Sequence, residues 1–394
     1  MNLLTQLLLA ALALPATFSC AYLALLTALS WPLAVPSRSS RRLRFDIIVP
    51  AHNEENGITR TVASLLAIDW PREQFRVLVI ADNCSDATAA VARRAGAEVL
   101  ERQDLTLRGK GYALAHAFGA SIKDGFASAV VVIDADAEVS ANLLEAFAAR
   151  IEEGARAIQA NYGILNPWSS WRTQLITIAK GAFHIVRSRA REHLGLSCGV
   201  RGNGWCVTHE LLRQVPYQYY SLTEDVEFGI ALGEAGCRVH YAGEAHANAD
   251  MAANEKNARS QRQRWEQGRI QLVRATTLPL LRSAVRRRSL LCLDLALDLI
   301  VLPLSYVTLN VVLLGLAAAA ATFLDPAAKF WAWWALACAA VIVLHVLRGW
   351  QLSGMGARGL LALAHVPGFI MWRLWLLLAR KPSEWVRTER EKTS

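Results

Sequence analysis

The stretch AVVVIDAD at residues 129–136 predicts a buried β-strand that runs directly into two acidic side chains. Two earlier apolar runs have the same form, FDIIVP at 45–50 and RVLVIAD at 76–82. The segments that follow these two runs, 58–67 and 86–95, have the apolar spacing of helices. Strands that alternate with helices in this way predict right-handed βαβ units and a parallel sheet.

Acidic side chains stand at the ends of two of these strands, Asp82 and Asp134. Open α/β sheets bind their ligands at the carboxyl ends of parallel strands. Asp134 and Asp136 can face one cation from a loop, and Mg²⁺ or Mn²⁺ prefers such oxygen ligands, usually shared with substrate phosphates. Alone, this pair is more typical of a solvated loop, but the strand before it and Asp82 favour a site. Glu54 and Lys110 are further candidates for contact with a nucleotide, although a surface position is the simpler interpretation of Lys110.

The composition indicates a soluble type of domain held between membrane segments. Of the 394 residues, 54% are hydrophobic and 19% are charged, against about 25% charged in an average soluble domain. The shortage is local, because residues 1–37, 299–324 and 330–347 contain no Asp, Glu, Lys or Arg, whereas residues 38–288 are ordinary. This pattern excludes intrinsic disorder, a collagen-like repeat and a small disulfide scaffold.

The net charge of +9 is concentrated where the apolar segments begin or end. Basic clusters at these borders stay on the cytoplasmic side of a membrane and favour anionic headgroups. Nucleic-acid binding is disfavoured, because the basic residues are not interleaved with aromatic ones on one face. The seven cysteines include no CxxC pair and so indicate neither a zinc site nor a disulfide framework. The two clusters are Arg38, Arg41, Arg42 and Arg44, and Arg282, Arg286, Arg287 and Arg288.

The apolar segments predict three membrane spans. Residues 1–37 are too long and too poor in basic residues for a cleaved signal, and predict a signal anchor whose N-terminus lies outside. Residues 290–323 and 330–347 are predicted to cross outwards and back. Residues 359–379 contain Arg373, which costs about 2.5–3.5 kcal/mol at a bilayer centre. We therefore predict that 359–379 is an interfacial or re-entrant element.

Two acids precede a helical pattern at Thr223-Glu224-Asp225. Acids at such a position often only complement the dipole at the start of a helix. The functional alternative is that Asp225 acts as a general base that takes a proton from an acceptor hydroxyl. The preceding loop, CGVRGNGWCV at 198–207, has three glycines that allow the backbone to approach a ligand closely.

The run QRQRW at 261–265 places three side chains on one face of a helix, since Gln261, Arg264 and Trp265 are spaced i, i+3 and i+4. The arginine can neutralise a leaving diphosphate, and the tryptophan can stack on a sugar or another flat apolar face. In isolation, a basic and aromatic helix beside a membrane is usually an interfacial anchor.

The chain resembles the membrane-integrated branch of family 2 glycosyltransferases, which includes cellulose, chitin and hyaluronan synthases and ceramide glucosyltransferases. The resemblance covers residues 45–270 and rests on six motifs in the same order: VPAHNEE, VIADNCSD, GKGYAL, VIDADAE, TED and QRQRW. It implies a cytosolic α/β GT-A (Rossmann-like) domain joined to an α-helical transmembrane region. The implied chemistry is inverting transfer of a sugar from a nucleotide-activated donor.

By position, the resemblance assigns a role to each candidate residue. Asp82 and Glu54 lie near the nucleobase and ribose, with Lys110 close by, and Asp225 is the catalytic base. Asn83 stands where many relatives have a second acidic or a glycine residue, so a second acid is missing there. The remaining assignments are Asp134 and Asp136 as the DxD acids, with Asp136 the stronger metal ligand, and Gln261, Arg264 and Trp265 beside the diphosphate and the acceptor.

The sequence thus predicts an inner-membrane glycosyltransferase that uses a UDP-sugar and Mg²⁺ or Mn²⁺ on the cytosolic side. We expect a membrane-associated glycan acceptor, with a lipid acceptor as the alternative and an inactive nucleotide-sugar sensor as a third reading. Three spans offer little material for a polymer channel, so a growing glycan would need an oligomer or an export partner. The predicted domains are an anchor at 1–37, the GT-A domain at 43–248, the QxxRW and interfacial helices at 249–288, transmembrane or interfacial helices at 289–379, and a basic cytosolic tail at 380–394.

Overall fold

The computed structural model describes residues 3–251 and 255–371, with the backbone alone for residues 255–265 and 267. The described chain divides into two compact units. The first, the sheet unit, comprises Pro32–Ser169 and Arg191–Ala296. The second, the helical unit, comprises residues 3–31, Ser170–Ala190 and residues 297–371.

Strands and helices alternate through the first half of the sheet unit, as predicted. The strands are β1 (Phe45–Ala51), β2 (Phe75–Asp82), β3 (Glu98–Arg102), β4 (Ala129–Val132), β5 (Ala137–Val139), β6 (Ala157–Ile164), β7 (Trp205–Thr208) and β8 (His240–Ala249). The helices up to residue 250 are α1 (Leu3–Ala28), α2 (Ile58–Leu66), α3 (Thr88–Arg94), α4 (Lys110–Asp124), α5 (Leu143–Glu152), α6 (Trp171–Lys180), α7 (Arg187–His193), α8 (His209–Gln214) and α9 (Glu224–Glu234). The later helices are α10 (Glu255–Arg287), α11 (Leu290–Ile300), α12 (Leu304–Ala321), α13 (Lys329–Leu352) and α14 (Arg358–Ala362).

Eight strands within the described residues form one sheet in the order β3-β2-β1-β4-β7-β6-β8-β5. The four strands β3, β2, β1 and β4 are parallel, which confirms the prediction made for the first part of the chain. The other half is mixed, because β7 runs antiparallel to both β4 and β6 while β6 and β8 are parallel. The continuous run of parallel strands therefore ends at β4, where β7 pairs antiparallel.

Both faces of the parallel half are buried, which explains its continuous apolar sequence. On β1, Phe45, Ile47 and Val49 enter one core with residues of α2 and α5. Ile48 enters the opposite core with residues of α4 and α9. Side chains alternate between the two faces of a strand, so one apolar run serves both layers.

Strand β3 was not predicted from the sequence. Three residues of its sequence EVLER are partly buried, and the other two are exposed. It lies at the edge of the sheet and pairs with β2 alone among the described strands. An edge strand of this kind carries charges and gives no apolar run, so its pattern resembles that of a loop.

The helical unit contains three helices that are long and apolar enough to cross a membrane, as predicted. They are Leu3–Ala28, Leu304–Ala321 and Pro326–Leu352, with mean hydropathies of 1.9, 1.9 and 2.0. This count refers to the described residues alone and rests on length and composition.

Polar contacts at both ends of the bundle fix the direction of these helices. At one end, Gln6 Nε2 donates to Asp325 Oδ2 over 3.1 Å, and Trp331 Nε1 donates to Gln6 Oε1 over 2.7 Å. At the other end, Thr27 Oγ1 lies 2.8 Å from His345 Nδ1. Helices α1 and α13 therefore run in the same direction and α12 runs against them, which agrees with the predicted alternation of crossings.

The prediction of one continuous span over 290–323 was wrong. The segment forms two helices, α11 and α12, and the second begins directly after Pro303. Proline has no N–H and cannot continue a helix ladder. Helix α11 also contains acidic residues. One of them, Asp294, has its Oδ2 2.9 Å from Nε of Arg191, and both residues belong to the sheet unit. Of these two helices, only α12 has the length and hydropathy of a membrane span.

The structure covers part of the segment predicted to be interfacial. Its described part belongs to the apolar helical stretch Arg358–Met371, which is shorter than the three candidate spans. Residues 372–379 and the predicted basic tail at 380–394 lie outside the described residues, so the form of this segment stays a prediction.

Two glycines allow a very close helix approach in the helical unit. A π-helical turn at Gly181–Val186 joins α6 to α7, and a Cβ added to Gly181 would lie 2.3 Å from the carbonyl oxygen of Gly349. In return, a Cβ on Gly349 would lie 2.6 Å from the Cβ of Ala182. Small residues at such crossings let helix backbones pack closely in membranes.

We predict that Gly349→Ala destabilises the helical unit by about 1–3 kcal/mol, the usual cost of forcing an extra methyl group into a packed site. The control is Gly315→Ala on α12, where the added Cβ would meet Ala335 at an ordinary 3.6 Å. Unfolding in mixed micelles titrated with SDS measures both variants. Equal stability of the two variants would contradict the close approach.

Candidate active site

The carboxylate at the end of β2 is held by an arginine from the neighbouring strand. Asp82 pairs in register with Arg102 of β3, and Arg102 Nη1 donates to Asp82 Oδ1 over 2.6 Å. Their side chains are 8% and 10% exposed. Arg102 was not predicted because strand β3 was not predicted. Its position beside Asp82 follows from the register of β3 against β2.

Asn83 has a structural role that explains why no acid stands there. It has a φ of 52°, in the left-handed region that asparagine tolerates better than most residues. Its Nδ2 donates to Asp82 Oδ1 over 3.2 Å, and its Oδ1 accepts from the backbone N–H of Asp104 over 2.8 Å. Asn83 therefore turns the chain after β2 and braces Asp82.

Glu54 lies in the loop after β1, beside the loop that follows β2. Its backbone N–H donates to Thr88 Oγ1 over 2.7 Å. In the same way, Asn53 Oδ1 accepts from the backbone N–H of Ser85 over 2.7 Å. These bonds join the loop after β1 to the loop after β2 and to the start of α3, so Glu54 and Asp82 lie at the same edge of the sheet.

The motif GKGY at 109–112 begins helix α4 and places Lys110 among the acids. Lys110 Nζ donates to Asp134 Oδ1 over 2.6 Å and to the carbonyl oxygen of Gly202 over 2.8 Å. Gly109 has a φ of 123°, and a Cβ on Gly111 would lie 2.2 Å from the carbonyl oxygen of Tyr219. Both glycines are therefore required for this geometry, and Lys110 is not a simple surface lysine.

Asp134 and Asp136 occupy the turn between β4 and β5, at the carboxyl edge of the sheet. The backbone N–H of Asp134 donates to Asn203 Oδ1 over 3.0 Å. The carbonyl oxygen of Asp136 accepts from Arg60 Nη2 over 3.3 Å. Both turn residues are thus held through their backbones, one from each side.

Glu224 and Asp225 begin helix α9 and face the same cluster. Burial raises the pKa of the Glu224 carboxyl to about 7, against the opposing effect of the Lys110 charge and with the Asp225 charge adding to it. Burial also raises the pKa of Asp225, again against the effect of Lys110. For Lys110 burial acts against the charged form, but the charges of Asp134, Glu224 and Asp225 prevail and raise its pKa.

Tyr162 on β6 lies within electrostatic range of these acids. Burial raises its pKa well above the ordinary value, and the charges of Asp134, Asp136 and Asp225 contribute in the same direction. The structure therefore brings together the acids of the two predicted motifs. Tyr162 was missed, since a tyrosine within a β-strand has no distinguishing local pattern.

The side chains of Gln261, Arg264 and Trp265 lie outside the described residues. The backbone places their helix, α10, close to the start of α9. A Cβ added to Gly268 would lie 2.7 Å from Thr223 Cγ2, so α10 touches the segment just ahead of Asp225. Gly268 is three residues beyond Trp265 in the same helix.

The donor set is compatible with a divalent cation that is shared with a phosphate ligand. Among the described residues, no group of three or more His, Cys, Asp or Glu side chains could hold a metal by itself. Mg²⁺ is usually bound by one or two carboxylates together with substrate phosphates. Asp134 and Asp136 supply that number, and the ammonium group on Asp134 shows that the position accepts a positive charge.

Comparisons with known proteins agree with this geometry. The chain is 22% identical over 234 residues to the probable glycosyltransferase YdaM of Bacillus subtilis, covering 57% of this chain and 55% of that protein. It is 28% identical over 193 residues to a beta-monoglucosyldiacylglycerol synthase of Trichormus variabilis, covering 47% of this chain and 40% of the synthase. A 72-residue stretch is 40% identical to cellulose synthase 1 of Komagataeibacter xylinus, covering 18% of this chain and 5% of that protein. The chain therefore spans only about half the length of the first two of these relatives.

A solved structure shares the fold. It is the mannosyltransferase PcManGT from Pyrobaculum calidifontis in complex with GDP-Man and Mn²⁺, with a TM-score of 0.54 and 17% identity, covering 88% of this chain and 98% of that one. This likeness confirms the GT-A fold predicted for the sheet unit. The family model described as glycosyltransferase like family 2 matches residues 43–268. Because that match covers more than half of the chain, the protein belongs to glycosyltransferase family 2.

Proposed function

We propose that the protein transfers a sugar from a nucleotide-sugar donor, a UDP-sugar, to an acceptor held at the membrane, with inversion at the anomeric carbon. The observation that carries this proposal is the meeting of Lys110, Asp134 and Asp225 at the carboxyl edge of the sheet. A base, a cation and a pair of acids for a metal are the groups that this reaction requires. A sensor without activity would have no need of the base.

The nucleoside part of the donor is proposed to bind at the ends of β1 and β2. Asp82 is held rigidly by Arg102 and Asn83 and accepts hydrogen bonds from the base or ribose, with Glu54 close by. Lys110 lies at the start of α4, and the beginning of a helix favours phosphate groups. A donor that extends from Asp82 towards Lys110 would bring its diphosphate to Asp134 and Asp136.

The residues around the acids supply the transfer step. Asp134 and Asp136 would hold Mg²⁺ or Mn²⁺, and the bound ion would supply positive charge that stabilises the leaving diphosphate. Lys110 adds a second positive charge, and Arg264 is proposed to add a third. Asp225 takes the proton from the attacking hydroxyl, and its raised pKa makes it a stronger base than an exposed aspartate. Gln261 and Trp265 are proposed to position the acceptor.

The acceptor is proposed to be a membrane-associated glycan, and the identity to a cellulose synthase supports this choice. A lipid acceptor is the second candidate. It is supported by the glycolipid synthase among the relatives and by the small number of candidate spans, which offers little room for a polymer channel. A lipid can enter from the bilayer, whereas a glycan would need an oligomer or an export partner.

The proposed location is the inner (plasma) membrane, with the sheet unit in the cytosol. The parallel direction of α1 and α13, with α12 opposed, supports three successive crossings. The basic cluster after α1 and the cluster at the end of α10 favour the cytosolic side and anionic membrane lipids.

The proposed function is tested with purified membranes and a panel of labelled nucleotide sugars, with products separated by size and by lipid extraction. Label in a large water-soluble product supports a glycan acceptor, and label in the lipid extract supports a lipid acceptor. If none of the sugars is incorporated while nucleotides still bind, the protein is a sensor and the proposed activity is wrong.

We predict that Asp225→Asn keeps nucleotide-sugar binding and lowers the transfer rate by about 10²–10⁴-fold, the usual effect of losing a general base. The amide is nearly isosteric with the carboxylate but accepts no proton. Transfer rates and donor affinity are measured in parallel. Glu234→Gln at the far end of the same helix is the control, and wild-type turnover in Asp225→Asn would return Asp225 to a helix-capping role.

We also predict that Asp82→Asn weakens uridine binding by about 10- to 100-fold, because a hydrogen bond to a charged group contributes roughly 1.5–3 kcal/mol. Calorimetry with uridine alone measures this effect without the diphosphate. Glu101→Gln on the adjacent strand is the control, since that carboxylate is exposed and paired with Arg93 on the surface. Unchanged uridine affinity in Asp82→Asn would show that the nucleoside does not bind at this edge.

A further inference from the structure

The loop at Gly202–Asn203–Gly204 touches each of the three charged groups at the centre of the site. The carbonyl oxygen of Gly202 accepts from Lys110 Nζ over 2.8 Å. A Cβ on Gly202 would lie 3.4 Å from Asp225 Oδ2, so the backbone runs beside that carboxylate. The side chain of Asn203 accepts from the backbone N–H of Asp134 over 3.0 Å.

The side chain of Asn203 replaces a backbone hydrogen-bond acceptor at the end of the hydrogen-bond ladder between β4 and β7. Strands β4 and β7 pair antiparallel up to Val132 and Trp205, and the N–H of Gly204 donates to the carbonyl oxygen of Val132 over 3.0 Å. Beyond that point the loop turns away, with Gly202 and Gly204 at φ values of 76° and 72°. The N–H of Asp134 would then lose its acceptor, and the amide oxygen of Asn203 supplies one.

The loop is itself fixed from beneath by a buried glutamine on β6. Gln159 is 1% exposed, and its Nε2 donates to the carbonyl oxygen of Asn203 over 2.7 Å. Its Oε1 accepts from the backbone N–H of Arg201 over 2.8 Å. One side chain thus holds the loop on both sides of Gly202, and Asn203 has no freedom to move away from Asp134.

Only one half of the Asn203 amide is satisfied. The residue is 0% exposed, and among the described residues its Nδ2 has no hydrogen-bond partner. Leaving a buried donor unpaired destabilises the folded state. An apolar residue would avoid that cost but would leave the N–H of Asp134 without an acceptor. The choice of asparagine is explained by what its oxygen does for Asp134.

We propose that Asn203 is a positioning residue that sets the orientation of the Asp134–Asp136 turn for the divalent cation and the donor diphosphate. The inference rests on the proposed function, because it assigns Asn203 to the metal-dependent part of donor binding. Residues that orient metal ligands through hydrogen bonds typically change metal affinity by about 10- to 100-fold when they are removed. Asn203 acts on the turn through its backbone and need not touch the metal.

The test compares two ligands on the full chain purified in detergent. Uridine measures the nucleoside edge at Asp82 alone, and UDP with Mn²⁺ measures the metal-dependent part as well. In Asn203→Ala we expect the gain in UDP affinity that Mn²⁺ gives to fall by about 10- to 100-fold, with uridine affinity unchanged. Asn142→Ala is the control, since Asn142 also bonds to the backbone through its side-chain amide, its Nδ2 donating to the carbonyl oxygen of Glu244 over 3.1 Å.

Equal loss of uridine and UDP affinity in Asn203→Ala would make Asn203 a purely structural residue, and an unchanged response to Mn²⁺ would remove it from the site. If Asn203→Ala does not fold, Asn203→Ser takes its place, and its shorter side chain should give a partial loss. If the wild-type chain binds neither ligand, the proposed function itself fails, which is a distinct result.

A double-mutant cycle tests the connection between the two buried amides. Gln159→Met keeps the side-chain volume and removes the bonds to the loop, so it should weaken the Mn²⁺ response in the same way. Since both residues act through one loop, the double variant should lose no more than the worse single variant. Additive losses would show that Gln159 and Asn203 act separately and would contradict the described chain of contacts.

Discussion

The charge balance around Lys110 is the constraint on which the site depends. Its ammonium group stands among Asp134, Glu224 and Asp225, and these acids raise its pKa. Without it, three carboxylates would share a partly buried space, where like charges disfavour the ionised form. Lys110 therefore allows the acids to remain together before a donor and a metal bring further positive charge.

The same constraint explains the glycines around the site. Gly109 and Gly111 let helix α4 start close to the loop before α9, and this start delivers Lys110 to the acids. Gly202 presents its carbonyl oxygen to Lys110 from the opposite side. A side chain at Gly111 would push against backbone atoms, so the charge balance is built into the path of the chain.

The sequence was sufficient to predict the parallel half of the sheet and the acids at its edge. Asp82 and Asp134 follow continuous apolar runs, and the rule that ligands bind at carboxyl strand ends does not depend on tertiary detail. Arg102 and Asn203 could not be found in this way, because their roles depend on the register of an exposed edge strand and on a loop held by Gln159. Such contacts join residues far apart in the chain. The break before α12 is hidden by the continuous apolar run around it. Pro303 is the residue from which it could have been predicted.

The central claim is that Asp134 and Asp136 bind the donor diphosphate through a divalent cation. Calorimetry of UDP binding with and without Mn²⁺, on wild type and Asp136→Ala, tests it most directly. Glu138→Gln is the matched control, because Glu138 lies two residues further on and pairs with Arg60 at the surface. We predict that Mn²⁺ strengthens UDP binding in wild type and in Glu138→Gln but has no effect on UDP binding in Asp136→Ala. A full Mn²⁺ response in Asp136→Ala would contradict it.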